Sequence, residues 1–188
     1  MWPLFITSVI SLAVVIDRVF FIVLIKLRRR PEAVENILAN VEAGRVDEAI
    51  EAGKKSQDFV VNTLIYGLKH RDQLLSGALL KAANLQLKRF NQGLSVLDTV
   101  ITLAPLLGLL STVTGMIHAF GILGNKELDA PTVITGGIAE ALIGTAFGLG
   151  IAVVALIPFN YLNSQLEEAR HELEDASTHL ELLLKPAR

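Results

Sequence analysis

Glu140 is the only charged residue in an apolar run from Thr132 to Asn163. Gly136, Glu140, Gly144, Gly148 and Ala152 recur there every four residues, so on a helix one carboxyl group lies in a row of very small side chains. Such a row lets another helix approach closely. Thr145 follows five residues after the acid, about 7.5 Å along the helix axis, and lies beside the row. An earlier run from Thr99 to Asn125 carries a comparable face of Ala104, Gly108, Thr112, Gly115 and Ala119, with Ser111 and Thr114 next to it. Two antiparallel helices joined by a short turn bring Thr112 and Thr145 to similar depth. A carboxyl group in such a site can exchange a proton, and threonine hydroxyls both donate and accept along a water chain. Glu140, Thr145 and Thr112 are therefore the candidate ion-path residues, and Gly108, Gly115, Gly136, Gly144 and Gly148 the candidate packing surface of a pore. The competing reading places Glu140 within about 12 Å of a helix start near Thr132, where it snorkels to the outer interface or bonds a neighbouring helix. Ser and Thr then serve only as hydrogen-bonded glue between helices.

Other chemistries lack their residues. There is no Gly-Lys-Ser or Gly-Lys-Thr phosphate loop, no His-Glu-x-x-His and no Gly-x-Ser-x-Gly elbow. His70, His118, His171 and His179 are scattered without ligand-like spacing, so neither a metal nor a cofactor is expected. The absence of cysteine excludes disulfides, thiolate metal sites and thiol catalysis. With 17 Lys plus Arg against 19 Asp plus Glu the net charge is −2, which gives no footprint for nucleic acid. No enzyme acting on a substrate is expected.

The elements that must hold these residues follow from composition. In 188 residues, 52% are hydrophobic and only 19% charged, more apolar than a soluble surface allows, and the apolar residues are bunched. Three stretches reach the roughly 20 residues that cross a bilayer. They are transmembrane helix 1 over 1–25, helix 2 over 99–123 and helix 3 over 132–163. Lys26, Arg28, Arg29 and Arg30 follow the first span, and basic residues flank spans on the cytoplasmic side. The expected topology thus has the N-terminus outside, a cytoplasmic segment over 26–98, a periplasmic turn over 124–131 and a cytoplasmic tail over 164–188. A signal peptide would carry its positive charge before the apolar run instead.

The cytoplasmic segment has its own helical pattern. Pro31 suits a first helical position, Val34, Ile37, Leu38 and Val41 share one face, and Gly44 stops the helix. A second short helix from Asp47 to Lys55 ends near Gly53 and completes a hairpin. Leu80, Ala83, Leu87, Phe90, Leu94, Leu97 and Ile101 alternate spacings of three and four, which predicts one helix running unbroken into the second span. Leu162, Leu166, Ala169, Leu173, Ala176, Leu180 and Leu183 do the same beyond the third. Seams of this kind bury against partner helices. The fold class is all-α membrane protein, with the second and third spans extended into the cytoplasm. Asp17 and Arg18 read as an interfacial charge pair, and Asp98 stands at the start of the second span. Pro105 and Pro158 are expected to kink their helices.

The run from Ala104 to Ile117 (APLLGLLSTVTGMI), followed by Gly136 to Ala152 (GGIAEALIGTAFGLGIA), resembles the MotA/TolQ/ExbB proton-channel family, within it most closely ExbB. The Asp17-Arg18 pair is similar to an acid-Arg pair found there, and the resemblance covers almost the whole chain. It implies a homopentamer in the bacterial inner membrane, surrounded by membrane lipid, whose second and third spans line a pore occupied by an ExbD-like single-span partner. It further implies work on a TonB-like energy transducer, with Thr112, Glu140 and Thr145 around the partner's proton-carrying Asp. Ala139 and Gly144 depart from the Ser and the Thr or Ala common in the family, which thins the polar lining. An outer N-terminal extension found in some ExbB proteins is expected to be missing, and the three spans do not match four-span MotA. A TolQ-like subunit for envelope integrity and a non-conducting scaffold remain the alternatives.

Overall fold

The computed structural model describes residues 2–123 and 130–184. Of the turn expected over 124–131, residues 124–129 lie outside the described residues, as do Met1 and 185–188 at the ends. The described residues are all helical apart from short connections: α1 (Trp2–Arg28), α2 (Pro31–Glu42), α3 (Val46–Gly53), α4 (Phe59–Lys69), α5 (Arg71–Asn91), α6 (Leu94–Leu123) and α7 (Ala130–Leu184). Three stretches are long and apolar enough to cross a membrane, lying in α1, in α5 and α6, and in α7. Their large side chains are mostly uncovered, among them Phe5, Leu12, Phe20, Leu106, Ile117, Phe147 and Val154. In water such surfaces would be costly, whereas lipid tails or partner helices cover them.

The chain divides into two compact units. The first comprises residues 1–18 and 93–161, thus the start of α1, α6 and the first part of α7. Its buried residues are Ala104, Ala119, Ala141, Ala152 and Ala155, Leu4, Thr7 and Ser11 on α1, and Leu94, Leu97 and Val100 at the start of α6. Thr7 satisfies its hydroxyl on the Pro3 carbonyl of its own helix at 2.8 Å.

The second unit, residues 19–92 and 162–188, has a core of larger aliphatic and aromatic side chains. Pro31 opens α2 as expected, and Gly44 at φ +75° closes it. The Arg45 amide bonds the Asn40 carbonyl at 2.8 Å and the Gly44 amide the Val41 carbonyl at 2.9 Å, the paired bonds of a left-handed helix stop. Ile37 and Val41 are buried on the expected face of α2, and α3 carries Ala49 inward. Phe59, Val60, Val61, Leu64, Ile65 and Leu68 bury most of the circumference of α4. The Phe90 ring meets Phe21 edge-on at 5.6 Å and Phe59 at 5.3 Å between centroids, a favoured aromatic geometry. The α7 seam is buried at Leu162, Leu166, Ala169, Leu173, Ala176 and Leu180.

The other seam is interrupted. Instead of one helix through residue 92, α5 stops at Asn91 and α6 starts at Leu94, with Gly93 at φ +80°. A β-carbon at Gly93 would lie 3.0 Å from Arg18 Cδ and 3.1 Å from Val14 Cγ1. Both the backbone angle and the crowding select glycine here. A further break inside α5 falls at Leu74, whose φ of −153° and ψ of 90° are extended.

Candidate functional site

The small residues of α6 and α7 in the first unit face one another in antiparallel register. A β-carbon added at Gly148 would lie 2.5 Å from the Ala104 carbonyl oxygen and 3.0 Å from Gly108 Cα, and one at Gly108 would lie 3.1 Å from Thr145 Cα. The two helices touch backbone to backbone at this level, which any side chain larger than hydrogen would prevent. Further along, a β-carbon at Gly115 would sit 2.8 Å from the Ala141 methyl, and one at Gly137 would sit 2.8 Å from that of Ala119. Gly144 lies against the Ser111 side chain.

This close approach joins two hydroxyl groups to one carbonyl. Thr145 Oγ1 on α7 lies 3.0 Å from the Gly108 carbonyl oxygen on α6. Thr112 Oγ1 lies 3.2 Å from the same oxygen and hydrogen bonds with Thr145 Oγ1. Each hydroxyl carries one proton, so two protons serve three contacts. Either Thr112 donates to Thr145 and Thr145 to the carbonyl, or the order reverses. The donor direction of the pair is therefore reversible. Thr114, by contrast, returns its hydroxyl to the Leu110 carbonyl of its own helix at 2.8 Å.

Glu140 is exposed on α7, beside the contact with α6, and makes no hydrogen bond or ion pair among the described residues. Gly136 has open space around it. The reason is helical pitch: each four-residue step overshoots one turn by about 40°, so the row from Gly136 to Ala152 winds around α7. Gly144, Gly148 and Ala152 meet the interior of the unit, while Gly137 and Ala141 replace Gly136 and Glu140 on the contact row. Gly108 and Gly115 lie in this contact, and the described geometry places Glu140 outside it. At the other end of the unit, Arg18 donates to Asp17 Oδ2 from Nε at 2.8 Å and from Nη2 at 2.5 Å. The Arg18 side chain is largely covered and Asp17 is exposed.

The second unit holds a charge cluster that sequence reasoning did not single out. The Asp58 side chain is fully buried and caps α4 by accepting from the Val60 amide at 2.9 Å. Its other oxygen accepts from Arg29 Nη1 and from the Arg30 amide, both at 2.7 Å. Arg29 Nη2 then donates to Glu172 Oε2 on α7 at 2.5 Å, and its guanidinium stands 4.9 Å from the Phe59 ring centroid. The available sequence clue was Asp58 directly before an apolar run, a helix-start pattern. Nothing local marks Arg29 among its basic neighbours.

Comparison with known proteins agrees with this architecture. A model of the MotA/TolQ/ExbB proton channel family matches residues 47–175. An ExbB-like biopolymer transport protein of Synechocystis sp. is 30% identical over 98% of this chain and 75% of its own length. A second from that organism is 29% identical over 97% of this chain and 89% of its own. The biopolymer transport protein ExbB of Neisseria gonorrhoeae is 34% identical over 50% of this chain and 42% of its own length. Three apolar helices together with these relatives make this a multi-pass membrane protein of ExbB type. With more than half of its length matched, the chain belongs to the MotA/TolQ/ExbB proton channel family.

Proposed function

We propose that this protein is the channel subunit of a motor in the bacterial inner membrane that uses proton-motive force to energise TonB-dependent transport across the outer membrane. The observation that carries the reading is the Thr112 and Thr145 hydroxyl pair on the Gly108 carbonyl, a reversible hydrogen-bond relay set between two membrane-spanning helices. Glu140 supports it as an acid with no partner among the described residues, on a face open to a neighbouring helix. Five copies surround a pore in this reading, and an ExbD-like single-span partner brings the acid that carries the proton past Thr112, Thr145 and Glu140. The N-terminus and residues 124–131 face the periplasm, while 26–98 and 164–188 form cytoplasmic helices. Each proton descending 100 mV releases about 2.3 kcal/mol, and several together drive one movement of the TonB-like transducer.

The test is proton-driven uptake of a TonB-dependent substrate in cells whose complex is present at normal levels. Glu140→Gln keeps volume and hydrogen bonding but cannot exchange a proton, so uptake should fall by about tenfold or more, an added barrier of about 1.4 kcal/mol. Native mass measurement should show a pentamer for parent and variant alike. Unchanged uptake in a triple Glu140→Gln, Thr145→Val, Thr112→Val variant would leave these residues as packing and favour the scaffold reading. Restored envelope integrity without restored uptake would favour TolQ-like service.

A further inference from the structure

A small polar cavity of about 40 Å³ lies in the second unit at the end of α1. Arg28 and Arg89 line it together with Gln57, Asn62 and Gln86, and the rings of Phe21 and Phe90 form its apolar side. Arg28, at the last position of α1, is exposed and makes no ion pair or hydrogen bond among the described residues. The side-chain amides of Gln57 and Asn62 likewise have no partner among those residues. Asp58 also lines the cavity, but its carboxylate already accepts from Arg29, the Arg30 amide and the Val60 amide. It has little capacity left to hold Arg28. The cavity therefore presents the Arg28 guanidinium and unused amide donors, beside an Arg89 that donates to Gln86 Oε1 at 3.5 Å, with its one lining acid among the described residues neutralised.

Location decides the ligand. The apolar run of α1 ends at Ile25, which also lines the cavity, and a bilayer spanned by α1 would place its headgroup layer at this level. A space of this size exceeds the 10–15 Å³ of one water several-fold and suits a phosphate group. Arg recognises phosphate oxygens through paired N–H donors. We propose that the cavity binds the phosphodiester headgroup of an anionic phospholipid, with the acyl chains descending along Phe21 and Ile25. The site goes beyond the motor reading and holds for either orientation of the chain, so failure of one leaves the other standing.

The experiment is native mass spectrometry of the full-length protein in detergent, titrated with phosphatidylglycerol or phosphatidylcholine. Phosphatidylglycerol should bind in preference. Arg28→Gln and Arg89→Gln should each weaken it about fivefold, from the usual worth of one basic residue near an anionic headgroup, and together about 25-fold. Arg30→Gln removes an equal charge two residues from Arg28 but outside the cavity, and should weaken binding less than about twofold. Equal loss in Arg30→Gln would show diffuse surface charge and overturn the site, as would equal retention of phosphatidylcholine. Displacement of the lipid by millimolar inorganic phosphate would make the free anion the occupant and also overturn it. Should a Gln variant lower the thermal transition, Arg28→Lys and Arg89→Lys decide: retained preference for phosphatidylglycerol supports the site, and its loss at unchanged stability overturns it.

Discussion

Thr145 Oγ1 on α7 hydrogen bonds to the Gly108 carbonyl oxygen on α6 at 3.0 Å, across a contact where neither helix interposes a bulky side chain. The glycines that bring the backbones together also place the Thr112 hydroxyl against Thr145.

Thr145→Val should separate these two effects. It keeps the shape and deletes the proposed relay, and one hydrogen bond between membrane helices averages only about 0.6 kcal/mol. The thermal transition in detergent should therefore move little, while proton-driven uptake falls by about tenfold, equivalent to about 1.4 kcal/mol of barrier. Thr145→Ser, which restores the hydroxyl, should recover most uptake. Equal uptake in the Val and Ser variants would remove the relay from the mechanism.

Gly148→Ala should damage the helix pair itself. Its new methyl group meets the Ala104 carbonyl at 2.5 Å and Gly108 Cα at 3.0 Å, both backbone atoms that cannot swing aside. The expected loss is about 1–3 kcal/mol, the usual cost of overpacking, read as a lower unfolding temperature. Gly136→Ala meets open space and should be neutral or slightly stabilising. Equal behaviour of the two variants would contradict the packing.

Asp58→Asn should destabilise the second unit. The fully buried carboxylate accepts from three donors, and a neutral amide leaves the Arg29 charge with Glu172 alone. Breaking a buried ion pair from one side costs about 3 kcal/mol, which denaturant unfolding of the purified protein can measure. Arg29→Lys should recover only part of the parent's stability in the same assay, because one ammonium replaces the two nitrogens that reach Asp58 and Glu172 separately.

Lys55 is exposed at the end of the α2 and α3 hairpin, and the chain has no cysteine of its own. A Lys55→Cys variant should resist an impermeant thiol reagent in intact cells and react in inverted vesicles. Labelling in intact cells would put residues 26–98 outside and reverse the proposed topology.

The α7 seam was legible from sequence because spacings of three and four project onto one face whatever that face meets. Pro31 and Gly44 were equally legible, since each acts through its own backbone. The same spacing rule failed at Gln92 and Gly93, where the apolar seam continues but the helix does not. There the tertiary crowding of Arg18 and Val14 around a left-handed glycine overrides the pattern. Helix α4 had no period to detect, because nearly all its faces are buried. The sequence showed that small residues line α6 and α7 but left open which row meets which, since Gly144 and Gly148 belong both to the strict four-residue row and to the 3.6-residue row. Only the packed pair of helices selects Gly137 and Ala141 over Gly136 and Glu140. Arg29 with Asp58 and Glu172 lay beyond sequence for a related reason. Those partners are 29 and 143 residues away, and a buried ion pair is specified by where distant segments converge rather than by local propensity.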